Sequence, residues 1–121
     1  MSKRILAIDD QEDNRRILRD LLSAVDYEVL EAMDGEDAVA QAEKHVPDLI
    51  LMDIQLPGID GYEATRRIKG NPTLAHIPVI AVTSYALTGD EDKAMEAGCD
   101  AYIAKPYSPR ALLAKVREFL K

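Results

Sequence analysis

Four short runs of unbroken apolar residues constrain this chain most: Ile5-Leu6-Ala7-Ile8, Leu49-Ile50-Leu51-Met52, Val79-Ile80-Ala81-Val82 and Ala101-Tyr102-Ile103-Ala104. A strand with one wet face alternates apolar and polar residues, whereas a strand covered by helices on both faces reads as a continuous apolar run. The four runs therefore predict central parallel strands. A fifth segment, Tyr27-Glu28-Val29-Leu30-Glu31-Ala32, carries charge within it and predicts an edge strand.

Between the strands the spacing shifts to the helical period. Ile17, Leu18, Leu21, Leu22 and Val25 form one stripe, Leu112, Leu113, Val116, Phe119 and Leu120 another, and Ala38, Val39, Ala42 and Val46 a weaker third. Helix starts are marked by Ser108 with Pro109 at the first helical position, and by Asp60 with Glu63 three residues on. A fourth helix, within Ala86 to Ala97, has the poorest stripe, with Leu87, Ala94 and Met95 among Gly89, Asp90, Glu91 and Asp92, and is expected to be the least firmly held. The order is (βα)₅. It predicts an α/β fold: one flavodoxin-like domain over residues 1–121, with a doubly wound five-stranded parallel sheet in the order 2-1-3-4-5. In that arrangement ligands sit beyond the carboxyl ends of the strands, near the switch point between the first and third.

The chemistry lies at those ends. Asp9 and Asp10 follow the first strand, Asp53 the third, Thr83 the fourth and Lys105 the fifth. Any one of them is readable as a turn former or cap, and Asp10, three residues before Asp13, fits a helix N-cap. Five together at the ligand-binding edge point to a site. Three carboxylates in one crevice repel each other unless they share a proton or hold a hard cation. Mg²⁺ suits oxygen ligands of this kind and commonly takes one or two carboxylates together with phosphate oxygens, so a phosphoryl group is implied. Lys105 supplies a compact positive charge for one phosphoryl oxygen and the Thr83 hydroxyl a hydrogen bond for another. A plain salt bridge from Lys105 to Asp53 is the alternative for the resting state.

The rest of the sequence excludes more than it suggests. The formal net charge is −7, with no clustered Lys and Arg, which argues against direct nucleic-acid binding. The apolar stretch after Met1-Ser2-Lys3-Arg4 is too short for a signal-peptide core or a membrane span, so no membrane insertion and a cytoplasmic location are expected. Cys99, the one cysteine, reads as a small buried hydrophobe beside Gly98. His45 and His76 border proline-containing loops and read as exposed loop histidines rather than as those of a phosphocarrier, and they lack the spacing for metal ligation.

With the residues set out, the chain resembles the CheY-like receiver domains of bacterial two-component signalling over essentially its whole length. The likeness is carried by Ile8-Asp9-Asp10, Met52-Asp53-Ile54-Gln55-Leu56-Pro57-Gly58-Ile59-Asp60-Gly61, Val82-Thr83-Ser84 and Tyr102-Ile103-Ala104-Lys105-Pro106, in that order. The runs Asp48 to Pro57, Leu74 to Thr83 and Gly98 to Pro106 are especially similar to single-domain regulators of the DivK type and to receiver modules of hybrid kinases. The resemblance implies that Asp53 accepts a phosphoryl group from a phosphohistidine of a sensor histidine kinase or histidine phosphotransfer protein. It also implies Mg²⁺ ligation by Asp10, Asp53 and the Gln55 backbone carbonyl with Asp9 assisting, and phosphoryl oxygens held by Thr83, Lys105 and the Ser84 backbone N–H. Pro57, Gly61 and Pro106 are then structural, with a cis peptide at Lys105-Pro106, and Tyr102 is an aromatic switch that turns inward as Thr83 moves. Phosphorylation is expected to alter the face made by the fourth helix, the fifth strand and the fifth helix. The signal is expected to leave by binding a downstream protein effector or by relay, from a monomer or weak dimer.

Two positions depart from the common pattern: Ser84, where alanine is frequent, and Tyr85, placed to overhang the site; both bear on the lifetime of the phosphoryl group. Three rival readings fare worse. A phosphatase of the haloacid dehalogenase type needs a carboxylic acid where Gln55 stands, so efficient enzymatic turnover is not expected. A flavodoxin-type flavin site needs a phosphate loop where Asp9-Asp10-Gln11-Glu12-Asp13 would repel phosphate. A pseudo-receiver would lack Asp53 or Lys105, and both are present.

Overall fold

The computed structural model of the chain describes residues 2–83 and 90–120. Strands and helices alternate as β1 (Arg4–Ile8), α1 (Glu12–Ser23), β2 (Glu28–Ala32), α2 (Gly35–His45), β3 (Leu49–Asp53), α3 (Gly61–Lys69), β4 (Val79–Thr83), α4 (Asp90–Ala97), β5 (Ala101–Ala104) and α5 (Pro109–Phe119). All strand pairings are parallel and the sheet order is β2-β1-β3-β4-β5. The expected fold is therefore the observed one.

Alternate residues of a strand point to opposite faces, and the sheet accordingly divides the core in two. Leu6, Ile8, Ile50, Met52, Val79 and Ala81 pack with Ala38 and Ala42 of α2, Ala64 and Ile68 of α3 and Ala94 of α4. Ile5, Ala7, Leu49, Leu51, Ile80 and Val82 pack with Leu18 and Leu22 of α1 and Leu112 and Val116 of α5. Small alanines on α2 and α3 let those helices lie close to the sheet. Both helix-start signals hold: Ser108 Oγ accepts from the Ala111 N–H at 3.0 Å, and Asp60 Oδ1 from the Glu63 N–H at 2.9 Å. A further cap, Asp34 on α2, accepts from the Asp37 N–H at 2.7 Å.

Several expectations need correcting. Val25 lies past the end of α1 and Leu120 is the C-cap of α5, so neither is within its helix. Ala101–Ala104 is the second edge strand rather than a central one. Apolarity along a strand reports what covers its two faces, not what flanks it: Tyr102 packs on one core cluster while Ala101 and Ile103 join the other. Ile17 is 52% exposed, because the buried arc of α1 runs through Arg15, Leu18 and Leu22 and leaves Ile17 on its flank. Val46 is the C-cap of α2, in a left-handed conformation (φ 44°) that turns the chain before Pro47, and so lies outside the helix stripe. His45 is the half-buried last residue of α2, its carbonyl accepting from Arg4, rather than an exposed loop residue; His76 is exposed as expected. The fourth helix, expected within Ala86 to Ala97, spans Asp90–Ala97 as α4, and the stretch from Ala86 to Gly89, with Leu87, lies outside the described residues. Among the described residues no helix is long and apolar enough to cross a membrane.

Candidate functional site

Parallel pairing puts every strand's carboxyl end on one side of the molecule. The registers Ile8 with Met52, Asp53 with Val82 and Thr83 with Ala104 bring the residues at these ends together. Asp9 directly follows β1, Asp53 ends β3, Thr83 ends β4 and Lys105 directly follows β5. Asp9, Asp53 and Thr83 are buried, 2%, 6% and 2% exposed, while Asp10 is exposed. These residues line one cleft with Asn14, Gln55 and Pro57.

Carboxylate oxygens of Asp9, Asp10 and Asp53 lie within 4.8 Å of one another. Lys105 Nζ sits between the two buried carboxylates, 3.0 Å from Asp9 Oδ2 and 3.6 Å from Asp53 Oδ2. The expected resting pair with Asp53 is present, but Asp9 is the closer partner. One ammonium cannot neutralise three carboxylates. The donor set is all hard oxygen, crowded and left with excess negative charge, which fits a divalent cation such as Mg²⁺. Burial pushes the Asp53 carboxyl up from its ordinary 3.8 to about 6; Lys105 and the Gln55 N–H pull it down, and the charges of Asp9 and Asp10 push it up. Asp53 is thus still mostly ionised at neutral pH, but held there against the preference of its surroundings.

Backbone bonds brace the loops around this carboxylate. The Gln55 N–H donates to Asp53 Oδ1 at 3.2 Å and the Gln11 N–H to Asp9 Oδ1 at 2.9 Å. Gln11, not Asp10, occupies the N-cap position of α1, and its side chain makes no capping bond, so Asp10 faces the cleft rather than the helix. The Gly61 N–H donates to the Ile54 carbonyl at 2.9 Å, and a Cβ at Gly61 would lie 2.3 Å from the Asp53 carbonyl oxygen. Only glycine allows α3 to start so close to β3. Pro57 is exposed at the cleft rim, and Lys105-Pro106 is a cis peptide. Ser84 and Tyr85 lie outside the described residues.

Tyr102 is half-buried against the cluster containing Ala81 and Ala94. Its register partner is Ala81, and strand alternation puts Thr83 on that same face. Cys99 is buried beside Thr65, and burial pushes its thiol up, which suits an inert small hydrophobe.

Three features were missed in the sequence. Asn14 lines the cleft from α1. A second, more apolar cleft adjoins the first, with Asp53 and Lys105 lining both and Ile17, Leu21, Tyr107 and Pro109 on its walls; burial and the charge of Asp9 push the Tyr107 phenol up. Arg15 is buried beneath Asp9. The one available signal was Arg15's spacing, three and seven residues before Leu18 and Leu22 on the buried arc.

Comparison with known proteins agrees with this geometry. The sequence profile of the response regulator receiver domain matches residues 5–117. The chain is 43% identical over 120 residues to the polar-differentiation response regulator DivK of Brucella ovis, covering 99% of this chain and 98% of the relative. Among solved structures, the receiver domain of a sensor histidine kinase from Pseudomonas aeruginosa PAO1 superposes with a TM-score of 0.92 at 35% identity, covering 99% of this chain and 98% of the other; a magnesium ion is coordinated in that protein's active site cleft. The chemotaxis protein CheY4 of Vibrio cholerae superposes with a TM-score of 0.93 at 25% identity, covering 98% and 99%.

Proposed function

This chain belongs to the response regulator receiver domain family, and from that premise we propose that it is a cytoplasmic phosphorylation switch whose acceptor is Asp53. The donor is a phosphohistidine on a sensor histidine kinase or histidine phosphotransfer protein. The outcome is altered affinity for a downstream protein, or onward transfer of the phosphoryl group. One observation carries the reading: the buried Asp53 carboxylate has two further carboxylates and one lysine within reach.

In the step proposed, an Asp53 oxygen attacks phosphorus, the P–N bond breaks, and its electron pair stays on the imidazole nitrogen. Phosphoryl transfer of this kind asks a protein mainly for positioning and charge neutralisation. Lys105, already between Asp9 and Asp53, shifts to a phosphoryl oxygen, and the buried Thr83 hydroxyl donates to another. Asp10, Asp53 and the Gln55 backbone carbonyl would hold Mg²⁺, with Asp9 assisting, and the cation would neutralise charge on the phosphoryl oxygens. As Thr83 is drawn toward the phosphoryl group it leaves space on the face it shares with Tyr102, which the phenol ring can fill. That alters the surface of α4, β5 and α5.

The rival reading as a phosphatase is disfavoured by Gln55, whose amide cannot act as general acid or base at the rim of the cleft. The test is incubation with acetyl phosphate, or a phosphorylated kinase, and Mg²⁺. One base-labile phosphoryl group is expected on Asp53 and none on Asp53→Asn. Equal labelling of the two proteins would overturn the assignment.

A further inference from the structure

Arg15 is the one cation that the fold buries among the described residues, 9% exposed on α1. A buried guanidinium is costly unless its donors are used, and Arg15 directs its donors to three elements. Nη1 donates to the Asp9 backbone carbonyl at 2.7 Å, Nε to Glu31 Oε1 on β2 at 3.3 Å, and Nη2 to Glu12 Oε2 in the first turn of α1 at 2.6 Å. Glu31 is held in turn by Arg19 at 2.8 Å. The guanidinium thus ties the end of β1 to a neighbouring strand and helix.

We propose that Arg15 is a positioning residue for the acidic site: by holding the carbonyl of Asp9 it sets where Asp10 presents its carboxylate beside Asp9 and Asp53. The inference rests on the phosphoacceptor reading above. The peptide joining Asp9 to Asp10 is a rigid plane, so a bond to its carbonyl fixes the direction in which the chain leaves Asp9. The rest of Asp9 is already held. Its N–H donates to the Ala32 carbonyl at 3.2 Å, Oδ1 accepts from the Gln11 N–H at 2.9 Å, and Oδ2 accepts from Lys105 at 3.0 Å. Asp10 is exposed, so the place of its carboxylate depends on the backbone that carries it. Arg15 pairs with Glu12 and Glu31 rather than with the carboxylates of the acidic site, and acts on that site through the backbone of Asp9.

The sign of the effect separates positioning from charge. Removing a cation near three carboxylates would by Coulomb's law alone strengthen Mg²⁺ binding, whereas losing the carbonyl's anchor weakens it. The test is calorimetric titration of Mg²⁺ at constant ionic strength into wild type, Arg15→Met, Arg15→Lys and Glu31→Gln, each paired with a urea unfolding curve. Arg15→Met is expected to weaken Mg²⁺ roughly tenfold, the low end for groups that orient metal ligands. Arg15→Lys keeps the charge, but one ammonium cannot span three elements, so it too weakens binding and keeps the test decisive should Arg15→Met fail to fold. Glu31→Gln, which still accepts from Arg15, leaves the affinity near that of wild type while lowering stability. Unchanged or tighter Mg²⁺ binding in both Arg15 variants overturns the inference. A wild type that binds no Mg²⁺ overturns the acidic-site reading and this inference with it, so the two failures are distinguishable.

Discussion

Replacing Asp53 by Asn should make the metal-free protein more stable, and by an amount that depends on pH. The carboxyl titrates near 6 in the folded protein against an ordinary 3.8, chiefly because it is buried, so folding favours its protonated form. A carboxyl raised in this way contributes stability that is fully present below 3.8 and lost as the pH climbs through 6. Above that window the ionised group costs about 3 kcal/mol relative to a neutral one, and at pH 4 less than about 1 kcal/mol. Asn has nearly the shape of the protonated acid and, unlike it, stays neutral at every pH. In EDTA at pH 8, Asp53→Asn should therefore melt on the order of 10 °C above wild type, a gain that should largely disappear by pH 4. Urea unfolding of both proteins across pH 4 to pH 8, at constant ionic strength, measures the difference directly. An Asn variant no more stable than wild type at pH 8, or an advantage independent of pH, would refute the reasoning.

Four further outcomes follow from the same site. Gly61→Ala sets a Cβ 2.3 Å from the Asp53 carbonyl oxygen and should cost about 2 kcal/mol or more in urea unfolding, while slowing acetyl-phosphate labelling. Lys105→Met removes the one cation between Asp9 and Asp53; it should lower metal-free stability by about 1–3 kcal/mol, discounted for the lysine's partial exposure, yet tighten Mg²⁺ binding in calorimetry. Mg²⁺ itself should stabilise wild type by about 2.7 kcal/mol at a hundredfold excess over its dissociation constant, and Asp10→Ala should blunt that response in a thermal melt. Thr83→Ala should still accept a phosphoryl group on Asp53, but should lose most of the difference in partner affinity between beryllofluoride-activated and resting protein.

The sequence by itself determined the parts of this protein that are written locally. Strand identity follows from unbroken apolar runs, helix starts from Ser108 and Asp60, and the edge place of β2 from its glutamates. The acidic site was legible for the same reason: parallel strands share one carboxyl edge, so residues that each end a strand must meet there, however far apart in the chain. Tertiary structure decided whatever depends on distance and burial across elements. Only packing shows that Lys105 lies closer to Asp9 than to Asp53, and that Asp53 is buried enough to be pushed up to about 6. Packing likewise turned the α1 arc so that Arg15 is interred beneath Asp9 while Ile17 faces a cleft. Periodicity finds the stripe of a helix within about one residue's rotation, a 100° step, and that step decides whether an isoleucine or an arginine faces the core. Free energy across a sheet is set by neighbours that the chain brings together only when folded, and for that reason no local pattern encodes it.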